Sequence, residues 1–272
     1  MRAERRLWAY LTASAAALLW AVPVAWMAVA SLRPGIPSDI ASLPPAGPFG
    51  LGNFAEAWAS GIFPLWYLNT ALMCVSILAV QLVTVSMAGY AFARLTFPGR
   101  DLLFSAFLLQ LLLIPPLLIV PNIATLVSLH LYDSLLGVMA PYFASAFGVF
   151  LMRQTFRAIP RDFEEAAMLD GASIPLLIRH VLLPLARPGL AAFAIVSVTA
   201  HWNEFLWPLM AVSSPRNHVL TVGLASFASG TEAGSAWGVV AAGNFFVTAP
   251  LLVFFLVFQR RFVSSFVYSG IK

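Results

Sequence analysis

The chain of 272 residues holds one cysteine, one lysine and four histidines, and only 10% of its residues are charged. Each shortage removes a class of chemistry. Cys74 has no second cysteine to pair with, so an internal disulfide is excluded, and its place in an apolar run suits a small buried hydrophobe. A phosphate-binding P-loop needs a lysine directly after its glycines, and the only lysine is Lys272, so ATP is not bound that way. His130, His180, His201 and His218 are scattered, without the H-E-x-x-H or paired-cysteine spacing that holds a metal, so no metal site is expected. No G-x-S-x-G elbow is present. The expectation is a non-catalytic chain with no cofactor of its own.

What the chain has in excess is apolar surface: 61% of its residues are hydrophobic. No soluble core hides that much, so a bilayer must. Uncharged runs occupy 7–32, 57–93, 102–129, 134–152 and 233–259, and a run from Pro188 to Pro215 is broken only by Glu204. Each exceeds or approaches the ~20 residues that span hydrocarbon. The expected fold is all-α and polytopic, with six transmembrane helices near 8–32, 66–92, 102–127, 135–157, 188–212 and 238–259. The N-terminus imitates a signal peptide ending in Ala28-Val29-Ala30, but its apolar run is about twice the usual length, so it is kept as the first helix.

Arginine sets the orientation. With both termini cytosolic, the inner segments hold Arg2, Arg5, Arg6, Arg94, Arg100, Arg153, Arg157, Arg161, Arg179, Arg187, Arg260, Arg261 and Lys272, and the outer loops only Arg33 and Arg216. That bias satisfies the positive-inside rule, so the net charge of +4 reflects topology and calls for no nucleic-acid partner.

Between two apolar runs lies a polar, helix-friendly segment, 160–184. Pro160 separates it from the preceding helix, and Asp162, Glu164 and Glu165 fall in a first helical turn, where carboxylates favour the positive end of the dipole. Ala166 and Ala167 keep one face small, Gly171 allows a positive-φ turn, and Ser173 with Pro175 opens a second short helix. Two short helices at an angle make a knob projecting from the membrane. The spacing Glu165-Ala166-Ala167, three residues, Gly171, nine residues, Val181, one residue, Leu183-Pro184 resembles the EAA loop of ABC-importer permeases. Ala93-Arg94-Leu95-Thr96-Phe97-Pro98-Gly99-Arg100 is similar to a turn of sugar-importer permeases, and Trp202-Asn203-Glu204-Phe205-Leu206-Trp207-Pro208 to their W-N-[DEQ]-[FY]-L-W-P segment.

The resemblance is to the type I ABC importers, carbohydrate-uptake branch, with the MetI-like permease fold. It implies a peripheral helix and outer loop over 1–65, a permease core over 66–262 with its coupling loop at 160–184, and a cytosolic tail over 263–272. It implies a bacterial inner-membrane complex with a second permease subunit, a cytosolic ABC ATPase dimer that binds ATP and Mg, and an external solute-binding protein. Glu165, Ala166, Ala167, Asp170, Gly171 and Pro184 would make the ATPase contact, flanked by Arg153, Arg157 and Arg161.

Polar side chains in spans are the candidates for the solute path. A carboxylate there costs a few kcal/mol (about 3) unless paired or hydrated, so Glu204 faces a cavity, bonds another helix or lies at the outer interface. Asn203, Asn69 and Asn244 join it, since sugars are bound by amides, carboxylates and aromatic faces; Gln81 and Gln110 suit helix packing. No basic residue in the spans neutralises a phosphate, which favours a neutral sugar over a glycerol-phosphate-type solute. The competing class is a gradient-driven carrier with Glu204 as its ion site. Gly171→Asp is expected to uncouple transport or prevent assembly while leaving membrane insertion intact; normal uptake by that variant removes the docking role.

Overall fold

A computed structural model of the chain describes residues 2–33, 48–60, 62–229 and 237–269. The proline-rich stretch 34–47, Gly230 and Gly234 of the last outer loop, and the tail from 270 lie outside them. Among the described residues the regular structure is helical throughout. The chain divides into two compact units, Met1–Leu65 with Leu220–Pro250, and Trp66–Val219 with Leu251–Lys272.

In the first unit are α1 (Arg2–Leu32), α2 (Gly52–Ser60), α13 (Leu220–Ser229) and the start of α14 (Trp237–Ser269). Leu18, Leu19 and Trp20 of α1 are exposed, as expected of a helix bathed in lipid. The last carbonyls of α1 have no partner within the helix. Asn53 of α2 supplies one, its Nδ2 lying 3.0–3.2 Å from the carbonyls of Ala30, Ser31 and Arg33. A side chain at Gly238 would strike that amide, so glycine there admits the contact. Phe54, Phe227 and Phe246 pack against buried Ala57, Val239 and Ala242.

The second unit is built on α3 (Phe63–Arg94), a helix of 32 residues. Its core joins Val85 and Tyr90 of α3 to Phe104 of α4 (Arg100–Leu109), Met152 and Phe156 of α7 (Ala146–Ala158) and Phe193 of α11 (Arg187–Trp202). The stretches read as spans at 102–127, 135–157 and 188–212 are each interrupted in the structure, and proline supplies the reason. It lacks an N–H and clashes with the carbonyl four residues back. The first is split into α4 and α5 (Ile119–Ser128), with Pro115 and Pro116 opening a 3-10 turn, Pro115–Leu118, between them. The second is α6 (Leu135–Met139) with a 3-10 turn through Pro141, then α7, bent by 42° and restarted by Ser145, whose hydroxyl accepts from the Gly148 N–H. The third ends at Trp202 and resumes as α12 (Leu206–Ala211), leaving 203–205 unwound, because Pro208 lies four residues beyond Glu204. Among the described residues two helices, Tyr10–Leu32 and Phe63–Arg94, are long and apolar enough to cross a bilayer, or up to four if each of two bent helix pairs is one span.

One end of this unit is held by a carboxylate. Asp133, at φ 56°, accepts hydrogen bonds from the N–H groups of Ser213 (2.9 Å) and Ser214 (3.0 Å), and from the Ser214 hydroxyl. Its backbone carbonyl accepts from Asn217 Nδ2 at 2.6 Å. Trp66 Nε1 donates to the Pro215 carbonyl (2.8 Å), and Asn69 Nδ2 to those of Arg216 (2.8 Å) and His218 (2.9 Å). Asn69 is therefore committed to tying 215–218 onto α3. Burial pushes the Asp133 carboxyl up, but the bonds from Ser214, Ser213 and Asn217 outweigh it and hold the group well below the usual carboxylate range. The depressed group stabilises the fold fully above its ordinary value of about 3.9, and that contribution is lost as pH falls below it. Asp133→Asn is expected to cost about 2 kcal/mol at neutral pH and to flatten the acid side of the stability profile. Thermal unfolding of the detergent-solubilised chain between pH 7 and pH 3 tests this, and an unchanged profile contradicts it.

Candidate functional site

Two features of the second unit stand out: the exposed face of the 160–184 segment, and a largely apolar cavity with one polar wall. The segment opens with α8 (Asp162–Leu169), whose first turn holds Asp162, Glu164 and Glu165. It ends in a Schellman turn, in which the Gly171 N–H bonds the Met168 carbonyl (3.0 Å) and the Ala172 N–H that of Ala167 (2.9 Å). Gly171 has φ +83°, the left-handed conformation that motif requires, and nothing stands within 4 Å of where a Cβ would be. Substitution there is therefore a matter of backbone strain and surface chemistry, not of collision. After the turn come α9 (Ile174–Leu177), a π-turn over Ile178–Leu182 and α10 (Leu183–Leu185), which holds Pro184 in its first turn. Ser173 stands at the start of α9, but its hydroxyl makes no capping bond. From Ile174–Leu185 the chain bends by 79° into α11.

This segment has two faces. Leu177, Leu182 and Ala186 are buried in the core, with Ala167, Val181 and Leu183 against them. Glu165, Ala166, Asp170 and Gly171 are exposed. So are Phe163, Met168, Ile174, Leu176 and above all Leu169, which is 89% exposed. Large apolar side chains gathered on one surface beside carboxylates mark a contact site.

Glu164 turns the other way. Its carboxylate meets Arg94 Nε at 2.5 Å, both side chains only 8% exposed, and Arg94 Nη2 donates to the Ile159 carbonyl at 2.6 Å. The two buried charges face each other as an ion pair, and removing one alone costs about 3–5 kcal/mol. Arg153 is also internal, with Nε on the Phe92 carbonyl (3.2 Å) and the guanidinium 4.0 Å from the Phe104 ring centre, whereas Arg157 and Arg161 are exposed. The sequence marks Arg94 as part of the 93–100 turn and Glu164 as a first-turn carboxylate, but nothing local pairs the two across 70 residues.

The cavity, of about 390 Å³, is lined by residues of α3, α11, α12 and the proline-broken stretches between them. Gln81 organises its polar wall. Its Oε1 accepts from the Ser197 hydroxyl (2.6 Å), and its Nε2 donates to the Tyr142 carbonyl (2.6 Å) and lies 3.4 Å from His201 Nε2. The His201 and Tyr142 rings are 4.6 Å apart. Glu204 reaches this wall from the unwound 203–205 stretch, where its carboxylate is hydrogen-bonded with the Tyr142 side chain and lies 3.5 Å from the Trp207 N–H. The lining carries this one carboxylate and no arginine or lysine. Of the four path candidates, only Glu204 lines the cavity. Asn203 is exposed and bonds the Thr199 carbonyl at 2.8 Å; Asn69 holds 215–218; Asn244 Nδ2 lies 2.9 Å from Met27 Sδ in the first unit. Tyr142, Ser197 and His201 escape sequence reasoning because they converge on Gln81 from 61, 116 and 120 residues away. Among the described residues no cluster of His, Cys, Asp and Glu could hold a metal.

Residues 85–267, two thirds of the chain with the whole 160–184 segment and the cavity lining other than Gln81, match the model of the binding-protein-dependent transport system inner membrane component. The chain belongs to that family. This permease is 34% identical over 256 residues to the diacetylchitobiose uptake system permease protein NgcG of Streptomyces coelicolor, covering 91% of this chain and 84% of that one. It is 32% identical to the sn-glycerol-3-phosphate transport system permease protein UgpE of Yersinia pestis, with 82% of each covered. In fold it is similar to a bacterial ABC transporter involved in the import of the acidic polysaccharide alginate, at a TM-score of 0.82 and 21% identity over 94% of this chain and 96% of that one. As a member of a transport permease family, the chain is a membrane-embedded multi-pass subunit rather than an enzyme. In the permease, Glu204→Gln is expected to lower solute-stimulated turnover about tenfold with assembly unchanged, the loss of one charge contact of about 1.4 kcal/mol. Unchanged turnover returns Glu204 to a packing role.

Proposed function

We propose that this permease forms half of the path of an ABC importer for a neutral sugar or amino sugar. In this reading six spans place both termini in the cytosol, in a bacterial inner membrane, with 1–65 peripheral, 66–262 the transport core and 263–272 a tail. The exposed face of 160–184 then lies in the cytosol, and Leu169, with Glu165, Ala166, Asp170 and Gly171 around it, enters a groove on one ATPase of a dimer. Ala167 and Pro184, both half-buried, complete that contact, Ala167 from the side packed on the core. ATP and Mg belong to the ATPases. A second permease supplies the other half of the path, and an external binding protein delivers the solute.

The observation that carries the substrate class is the charge of the cavity wall. Glu204 is the one carboxylate among its described lining residues, and no arginine or lysine is among them. An anionic solute about 5 Å from that carboxylate, at an effective dielectric near 20, meets a repulsion of about 3 kcal/mol, or about a hundredfold in affinity. Hydroxyls and an ammonium find acceptors and donors in Gln81, Ser197, Tyr142 and Glu204, and the aromatic rings offer faces for sugar C–H surfaces. The diacetylchitobiose permease is the relative whose named solute fits this wall, and the glycerol-3-phosphate permease the one whose solute fits it least.

A mild-detergent pull-down of the tagged chain tests the reading. A P-loop ATPase and a second six-helix permease are expected to travel with it, and the recovered complex to show ATP hydrolysis stimulated by a binding protein loaded with a neutral or amino sugar. Recovery of the chain alone, still transporting down an ion gradient, contradicts it and makes Glu204 the ion site of a carrier.

A further inference from the structure

We propose that the buried Arg94–Glu164 pair is a mechanical joint that makes the docking segment and α3 move as one piece. The inference rests on the reading of 160–184 as the ATPase contact, and goes beyond it by naming what carries the movement inward. Between α7 and α8 the chain is non-helical at Ile159 and Pro160, the place where a hinge would form. Arg94 bridges that place. One arm of its guanidinium donates a hydrogen bond to the Ile159 carbonyl before Pro160 (2.6 Å), and Nε faces the Glu164 carboxylate after it at 2.5 Å, a charge contact without hydrogen-bond geometry.

Arg94 is also the last residue of α3, so whatever displaces α8 acts on the end of a straight rod. Gln81, which organises the cavity wall, lies thirteen residues back along the same helix, about 20 Å away at 1.5 Å per residue. A helix is stiff over that length, and its packing at Gly89 is tight: a Cβ there would stand 2.6 Å from Met152 Cβ of α7. A shift of the docking face thus reaches Gln81, and through it Ser197, Tyr142 and His201, without any intervening loop. A buried ion pair is not needed for stability, since apolar side chains of like volume commonly do as well. What those cannot reproduce is a hydrogen bond to Ile159 and a charge attraction to α8 from one side chain at once.

The test uses the full complex in proteoliposomes, with its ATPase, partner permease and binding protein. Glu164→Gln is expected to keep assembly and basal ATP hydrolysis while uptake falls about tenfold or more, a loss of coupling rather than of binding. The paired change Arg94→Met with Glu164→Leu refills the volume without charge, and is expected to show the same uncoupling at undiminished thermal stability. Uptake per ATP at the wild-type level in either assembled variant overturns the joint. A second measurement needs no change to the pair: nitroxide labels at Leu95 and Asp162, on a Cys74→Ala background, report the spacing across it. That spacing is expected to hold through nucleotide-free and ATP-bound states, and a change of about one helical turn, near 5 Å, overturns the proposal. If the wild-type chain recovers no ATPase, the docking reading itself falls; if the ATPase is bound and Glu164→Gln imports normally, only the joint does.

Discussion

Two neighbouring carboxylates on a short helix cannot both face inward, because successive side chains lie about 100° apart around the axis. In α8 the choice is made by Arg94: Glu164 is drawn into an ion pair that excludes water, and Glu165 is left outside with Ala166. Much follows from that rotation. With Glu164 as the inward anchor, Ala167 faces the core and Leu169 is thrown outward at 89% exposure. The Schellman turn at Gly171 then reverses the chain so that Leu177 and Leu182 return to the same core. A different rotation would hide the apolar edge that 160–184 offers to a partner.

The cavity has a comparable origin, in hydrogen bonds that proline refuses to make. Pro208 denies the Glu204 carbonyl its helical partner, so the chain unwinds at 203–205 and a carboxylate sits at the break instead of along a regular helix face. Pro115, Pro116 and Pro141 open the neighbouring elements in the same way. Irregular backbone at membrane depth is tolerated where it lines protein or a water-filled space, and these breaks all border one cavity. Gln81 and Tyr142 then satisfy the polar groups the breaks bring together. The family's relatives import solutes of differing charge by name, which makes the sign of this wall the feature that separates one member from another.

Much of this was legible before any coordinates. Local rules found the carboxylates of the first turn of α8, and Gly171, whose positive φ is a property of six consecutive residues. What stayed hidden was long-range. Glu164 and Arg94 are 70 residues apart, and nothing local distinguishes Glu164 from Glu165. Asn69 and Asn244 look like solute ligands in a list of polar residues within spans, yet each has its amide turned to a protein partner. His201 reads as one of four scattered histidines until the fold lays its ring against Tyr142. The breaks within the apolar stretches have a simpler origin: apolar composition measures what lipid accepts, whereas helix continuity depends on where single prolines fall.

The central claim is that the outward face of 160–184 is an ATPase contact. A photo-crosslinking side chain at Leu169, the most exposed large apolar residue of that face, asks this directly in intact membranes. The account predicts an adduct with a P-loop ATPase, lost when Gly171→Asp disturbs the turn beside it. Adducts with lipid or with the second permease alone would contradict the account.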